Sequence, residues 1–370
     1  MSRPARALLD SAALRHNLDR VRHFAPRSKI MAIVKANAYG HGLAWAATAL
    51  SDVDGFGVAC VEEALELRAA GVKQHICLLE GFFEPAEIPL LAENQLSPVI
   101  HHEGQLRAME NAAVKKPIDA WLKVDTGMHR IGFSPQAIPA VLARLNACAS
   151  VGQVRMLSHF ANADNKLNPV TTTQTRCFME LVIDSGSERS LANSAGVVAW
   201  PMSHLEWVRP GIMLYGVSPL IGFSASQLDL QPVMTLQSAV IAIQRLHKGD
   251  TVGYGGDWIC PEDMPVGVIA IGYGDGYSRH IRAGTPVLVK GKPVPLIGRV
   301  SMDLISVDLR AEPHIHVGDP AVLWGKGLPV EEVANQAGTI AYTLLCGVTS
   351  RIPRVESSAQ ELAPAVTGSV

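Results

Sequence analysis

Between about residue 30 and residue 210, short apolar runs recur, and each is followed by a stretch whose apolar positions have helical rather than strand spacing. The runs are Ile30–Val34, Phe56–Cys60, Ile76–Leu79, Pro98–Ile100, Ala120–Val124, Val154–Leu157, Ser190–Ala192 and Trp207–Val208. Eight strands alternating with helices predict an α/β fold whose parallel sheet closes as a TIM-like (β/α)8 barrel. The segment 61–70 illustrates the helices: it is rich in helix formers and stops at Gly71, a good residue just past a helix end.

After about residue 232 the pattern changes to longer β-type segments, Leu236–Gln244, Val266–Ile271, Val287–Val289 and Val300–Val307, with few helical interruptions. Lys290-Gly291-Lys292-Pro293 reads as a hairpin turn, and Asp303, Ser306 and Asp308 interrupt apolar neighbours as a half-exposed strand would. The expected organisation is a barrel domain over 1–232, a mostly-β domain over 233–357 and a disordered tail over 358–370.

Composition narrows the function. The chain has 370 residues, 48% of them hydrophobic, and a formal net charge of -2 with scattered basic residues, so no field is built to hold nucleic acid or an anionic membrane. No apolar run reaches the roughly 18 residues of a membrane span, and no signal-like stretch follows Met1-Ser2-Arg3-Pro4-Ala5-Arg6, which points to the cytosol. Six cysteines stand singly, without a metal-binding spacing, and read as reduced thiols. Small-molecule chemistry is the remaining class.

In a barrel of this kind the reactive groups sit at the carboxyl ends of strands, and polar residues fall there repeatedly. Lys35 ends the first run and Lys123 the fifth; His159 follows the sixth, Asn193 and Ser194 the seventh, and Arg209 the eighth. Lys35 could simply snorkel from a buried strand, but Tyr39-Gly40-His41-Gly42 places turn residues and a bulky ring beside it, as where backbone approaches a ligand. Ser194 and Gly211-Ile212 stand after strands seven and eight, where barrels often bind phosphate through backbone amides.

These residues carry a resemblance. Val34-Lys35-Ala36-Asn37-Ala38-Tyr39-Gly40-His41-Gly42 resembles the pyridoxal phosphate attachment motif of the alanine racemases. The segments 123–132, 158–160, 193–194, 208–212, 252–255, 272–277 and 298–303 follow in that family's order, so the likeness covers all but the tail. The family implies a (β/α)8 barrel followed by a β domain, and a homodimer with shared active sites that converts L-alanine to D-alanine and back.

By that resemblance Lys35 binds pyridoxal 5'-phosphate as a Schiff base and serves one face of the substrate, while Tyr254 of the partner subunit serves the other. Arg209 faces the pyridine nitrogen, supported by His159. Tyr39, Ser194, Tyr342 and the amides of Gly211 and Ile212 hold the phosphate, with Asn193 in the same cofactor group. Arg130 and the amide of Met302, with Asp303, belong to the substrate side. Lys123 matches a position that is carbamylated in some members and orients Arg130, and Asp164, Tyr273 and Arg279 match an entry corridor. Ser301 stands where some members have cysteine, and Leu79-Glu80-Gly81-Phe82-Phe83 resembles the catabolic type.

Three other readings compete. A non-catalytic pyridoxal phosphate carrier has a similar barrel but no second domain. A decarboxylase of this architecture carries a carboxylate where Arg209 stands. A racemase of broader amino-acid range differs only in pocket width.

Overall fold

The computed structural model describes residues 3–182 and 186–357. They fall into two compact units: Leu14–Ala38 with Gly42–Leu230, and Met1–Ala13 with Tyr39–His41 and Gln231–Val370. The tail expected over 358–370 lies outside the described residues.

The chain begins with β1 (Arg6–Leu9). Eight parallel strands then follow: β2 (Lys29–Ile33), β3 (Gly55–Val58), β4 (His75–Leu78), β5 (Leu96–Ile100), β6 (Ile118–Lys123), β7 (Val151–Leu157), β8 (Arg189–Asn193) and β9 (Trp207–Arg209). They pair in sequence order, and β9 returns to β2 to close the barrel. Each corresponds to one of the eight apolar runs, because a strand buried on both faces must be continuously apolar.

The amino-terminal end of the barrel is filled by rings and buried charge. His75, the first residue of β4, packs near Trp121 and Trp207, with ring centroids 6.1 and 5.7 Å away. Its Nε2 accepts from Trp121 Nε1 at 3.1 Å, which requires the neutral ring. Glu188 accepts from Trp207 Nε1, Arg155 Nε and Lys29 Nζ at 3.0, 2.7 and 2.6 Å. Burial, aided by the Arg155 guanidinium, pushes the His75 pKa down to about 4.

An unfolded imidazole titrates near pH 6.5. Below that pH the unfolded chain binds a proton that the folded chain refuses, so the contribution of His75 to stability is fully present above about pH 6.5 and is lost toward pH 4. The shift corresponds to about 3 kcal/mol. His75→Asn should flatten the pH dependence of urea unfolding across this window; an unchanged slope would place the proton linkage elsewhere.

The second unit is built on β10 (Met234–Leu246), β11 (Thr251–Val252), β12 (Trp258–Ile259), β13 (Met264–Ile269), β14 (Pro286–Val289), β15 (Lys292–Ile297), β16 (Ile305–Asp308), β17 (Pro320–Trp324) and β18 (Arg354–Glu356). The main sheet runs β13-β16-β15-β14-β17-β10-β1-β18, and β13 also pairs with β10. The long β10 can serve β1 and β17 with its first half and β13 with its second, through register shifts after Leu236 and Val240. β1, grouped by sequence with the barrel segment, pairs antiparallel with β10 and parallel with β18, burying Ala7, Leu8 and Leu9.

The β14–β15 connection is the expected hairpin: Lys290 and Gly291 have φ of 51° and 76°, as a two-residue type I′ turn demands. The strand expected over Val300–Val307 forms only as β16. The carbonyls of Ser301 and Met302 accept instead from Tyr273 N and Gly274 N at 3.0 and 2.9 Å, which makes the preceding residues a loop. Asp303 therefore stands on that exposed loop, and Asp308, expected to be half exposed, is buried beside Arg310.

Candidate active site

Lys35 follows Val34 at the carboxyl end of β2, and the backbone then turns in an unusual way. Ala36, Asn37, Ala38 and Tyr39 have φ of 54°, 55°, 52° and 48°, a left-handed turn made without glycine. Such backbone costs roughly 1–2 kcal/mol per residue for L-amino acids, so it must be held from outside. Ala38 N donates to Val34 O at 2.7 Å, Ala36 N to Glu63 Oε1 at 2.7 Å and Leu43 N to Asn37 Oδ1 at 2.8 Å. The Lys35 amine is left at the strand end, 4.0 Å from Glu80 Oε1 and 34% exposed.

Glu63 was not singled out by sequence. It lies in the first turn of the helix Val61–Ala69 and its second oxygen caps Ala59 N at 2.8 Å; an acidic residue at that place signals helix capping, but not the second bond to Ala36.

Arg209, at the end of β9, is 4% exposed. Its Nη1 donates to Ser190 Oγ at 2.6 Å, and its Nη2 to Ser158 O at 2.5 Å and His159 Nδ1 at 3.3 Å. Among the described residues no carboxylate pairs with Arg209 and no acceptor meets its Nε–H. Burial, followed by the nearby guanidinium of Arg209, pushes the His159 pKa well below its ordinary value, so Nδ1 is free to accept. Burial also brings the Arg209 pKa down to about 10, still charged at neutral pH.

Lys123 closes β6 and is 7% exposed. Burial first, and then Arg209 and Arg130, holds its pKa well below the usual lysine range. Ser158, Thr126 and Gln174 buttress this side: Ser158 Oγ donates to Val124 O at 2.8 Å, and Gln174 Nε2 donates to His159 O at 3.0 Å. Sequence assigned no role to Ser190, Thr126 or Gln174, because what marks them is the partner each meets from another strand or helix and not a pattern along the chain.

After β8, Asn193 caps the helix Ser194–Ala199 by accepting from Gly196 N at 2.9 Å. Buried Ser194 accepts through Oγ from Gly211 N and Met213 N at 2.8 and 3.4 Å. The N–H of Ile212 meets no acceptor among the described residues and opens a short helical turn, Ile212–Tyr215. Asp125 Oδ1 gathers the amides of Gly127, Met128 and His129 at 3.0, 3.1 and 3.0 Å, shaping the loop that carries exposed Arg130. Asp164 is exposed on another barrel loop.

The remaining residues belong to the second unit. Tyr39 and Tyr342 meet edge to face at 5.6 Å between centroids, and burial beside Tyr342 pushes the Tyr39 hydroxyl pKa up. Tyr254 is 64% exposed on a turn between β11 and β12, among Gly253, Gly255 and Gly256, whose φ values of 73°, 79° and 62° suit only glycine readily. Arg279 lies over the Tyr273 ring at 5.7 Å and donates to Val300 O at 2.9 Å. Met302 and Asp303 share the loop before β16.

Among the described residues no group of three or more His, Cys, Asp or Glu is placed to hold a metal ion, and no helix is long and apolar enough to cross a membrane.

Residues 9–219 match the family model for the alanine racemase N-terminal domain and residues 233–356 that for the alanine racemase C-terminal domain. The alanine racemase of Nitrosococcus oceani is 51% identical over 349 residues, 94% of this chain and 98% of that one. That of Vibrio parahaemolyticus is 52% identical over 353 residues, 95% and 98% of the two chains. The crystal structure of the biosynthetic alanine racemase from Pseudomonas aeruginosa superposes with a TM-score of 0.93 at 46% identity, covering 96% of this chain and 100% of that one. With both domain models matched in order, and likeness running nearly end to end, the chain belongs to the alanine racemase family of isomerases.

Proposed function

We propose that this chain interconverts L-alanine and D-alanine on bound pyridoxal 5'-phosphate, with Lys35 on one face of the substrate and Tyr254 of the partner subunit on the other, as a homodimer. The observation that carries this reading is Arg209: a buried guanidinium with both terminal nitrogens committed to the protein, no carboxylate partner among the described residues, and an Nε–H left for an acceptor. When bound, pyridoxal phosphate supplies an electron sink that acidifies the Cα–H of an attached amino acid.

The barrel residues fit that group. Lys35 presents an amine at a strand end on a rigidly held turn. Arg209 would offer a donor to a ring nitrogen and has no site that could take that nitrogen's proton, so the sink would stay weak and return of the Cα proton would be favoured over side reactions. The Ile212 amide and the Ser194 hydroxyl, whose oxygen accepts from Gly211 N, are donors suited to a phosphate, and the family pattern adds the Gly211 amide, Tyr39, Tyr342 and Asn193 to the cofactor set. The family pattern assigns Arg130 and the Met302 amide to the substrate carboxylate, puts Asp303 in the same substrate group, and assigns Asp164, Tyr273 and Arg279 to an entry corridor. Burial and the neighbouring guanidiniums of Arg209 and Arg130 hold the Lys123 pKa below the usual lysine range, which favours the uncharged amine that adds carbon dioxide as a carbamate with loss of a proton, and those two guanidiniums would stabilise the carbamate's negative charge.

Inversion needs a group on each face, because a proton taken from one side of Cα must be returned on the other. Lys35 Nζ and Tyr254 Oη are the two groups of this chain assigned to that exchange. The test is to incubate the cofactor-loaded protein with L-alanine in D2O. Loss of optical rotation together with deuterium entry at Cα is expected; retention of both signals with cofactor bound would point to a carrier instead.

A further inference from the structure

We propose that Arg3 and Arg351 are positioning residues for the substrate carboxylate, acting through the buried carboxylate of Asp275 on the loop that carries Met302. The proposal rests on the reading above that the Met302 N–H meets that carboxylate.

Asp275 lies between Tyr273 and Tyr277 with no exposed surface. A carboxylate so placed needs opposite charge and hydrogen bonds to remain ionised. Arg3, 272 positions earlier, supplies both in a fork: Nη1 donates to Oδ1 at 2.5 Å and Nη2 to Oδ2 at 2.6 Å. Gly272 N adds a bond to Oδ2 at 3.0 Å, and Arg351 Nε stands 3.5 Å from Oδ1.

Both arginines also reach the neighbouring loop. Arg3 Nη2 donates to Asp303 O at 3.3 Å, and Arg351 Nη2 donates to Asp303 Oδ1 at 2.5 Å. Two guanidiniums therefore tie the 272–277 loop to residue 303, one position beyond Met302.

The backbone converts this tie into an orientation. Tyr273 N donates to Ser301 O at 3.0 Å and Gly274 N to Met302 O at 2.9 Å. A trans peptide is planar, with its C=O and N–H pointing in opposite directions. Holding Ser301 O toward the 272–277 loop thus turns the Met302 N–H away from it. Among the described residues that N–H meets no acceptor, and Met302 is 52% exposed. There is no slack in the seam: a Cβ on Gly272 would lie 2.2 Å from Ser301 O, and one on Gly274 2.3 Å from Arg351 Nη1. The fork fixes Asp275 at two points where a lysine would fix it at one.

The experiment compares cofactor-loaded wild type, Arg3→Ala and Arg3→Lys in both reaction directions. KM for alanine should rise about tenfold in Arg3→Ala and less in Arg3→Lys, with kcat within about twofold, the pattern of a lost ground-state contact. In 15N-methionine-labelled protein, propionate serves as the carboxylate probe, and the Met302 amide signal is assigned with Met302→Leu. That signal should shift with propionate in wild type and respond only at higher propionate in the Arg3 variants. A lowered melting temperature with unchanged KM and unchanged propionate affinity would make the fork merely structural and overturn the proposal. A Met302 signal indifferent to propionate in wild type would instead overturn the reading on which it rests. If Arg3→Ala does not fold, Arg3→Lys carries the same comparison.

Discussion

Lys35→Ala is expected to lower the racemisation rate by at least about 10⁴-fold, because on the proposed reading it removes a covalent anchor and a proton-transfer group at once. The fold should survive the change. The left-handed turn after Lys35 is held by backbone and by Asn37 and Glu63, and among the described residues the one ion-pair contact of the lysine side chain is the long approach to Glu80. The variant should therefore unfold at close to the wild-type urea concentration while losing the visible absorbance of cofactor bound through an imine. Two readings are needed together: polarimetry on alanine, and the absorbance spectrum after incubation with pyridoxal phosphate. Unchanged absorbance, or a borohydride-stable adduct on another lysine, would sink the assignment of Lys35.

Tyr254→Phe should be the next largest effect, a loss of roughly 10²–10⁴-fold in racemisation in both directions. The hydroxyl belongs to a side chain that is mostly exposed, so its removal should leave stability and cofactor absorbance close to wild type. The discriminating measurement is Cα exchange in D2O for each enantiomer separately. The enantiomer whose Cα–H faces Lys35 should still exchange its proton without inverting, while the other should not. Equal loss of exchange from both would contradict a role confined to one face.

Much of the barrel was legible because its signal is local. A strand covered on both faces must be apolar throughout, and eight such runs separated by helical stretches leave few alternatives. Lys35, Lys123 and Arg209 stood out for the same reason, as charges at the ends of apolar runs. The turn after Lys35 was not legible. Ala36 and Ala38 are of the residue type that most favours a right-handed helix, yet both are left-handed, in a turn held by partners such as Glu63, which comes from the helix after β3. The loop at Met302 was missed similarly: Val300–Val307 is apolar enough to read as one strand, and only the amides of Tyr273 and Gly274 divert it.

By itself the sequence determined the order of strands and helices, the strand ends at which charged and hydroxyl side chains emerge, and the motifs that identify the family. These follow from spacing along the chain and from residue type, which are local properties. Tertiary structure decided the rest. It set the lowered pKa values of Lys123 and His159, because desolvation depends on what packs around a group. It also placed β1 in the second unit's sheet and brought Arg3 to the carboxylate of Asp275, pairings across more than two hundred positions that no pattern along the chain can record.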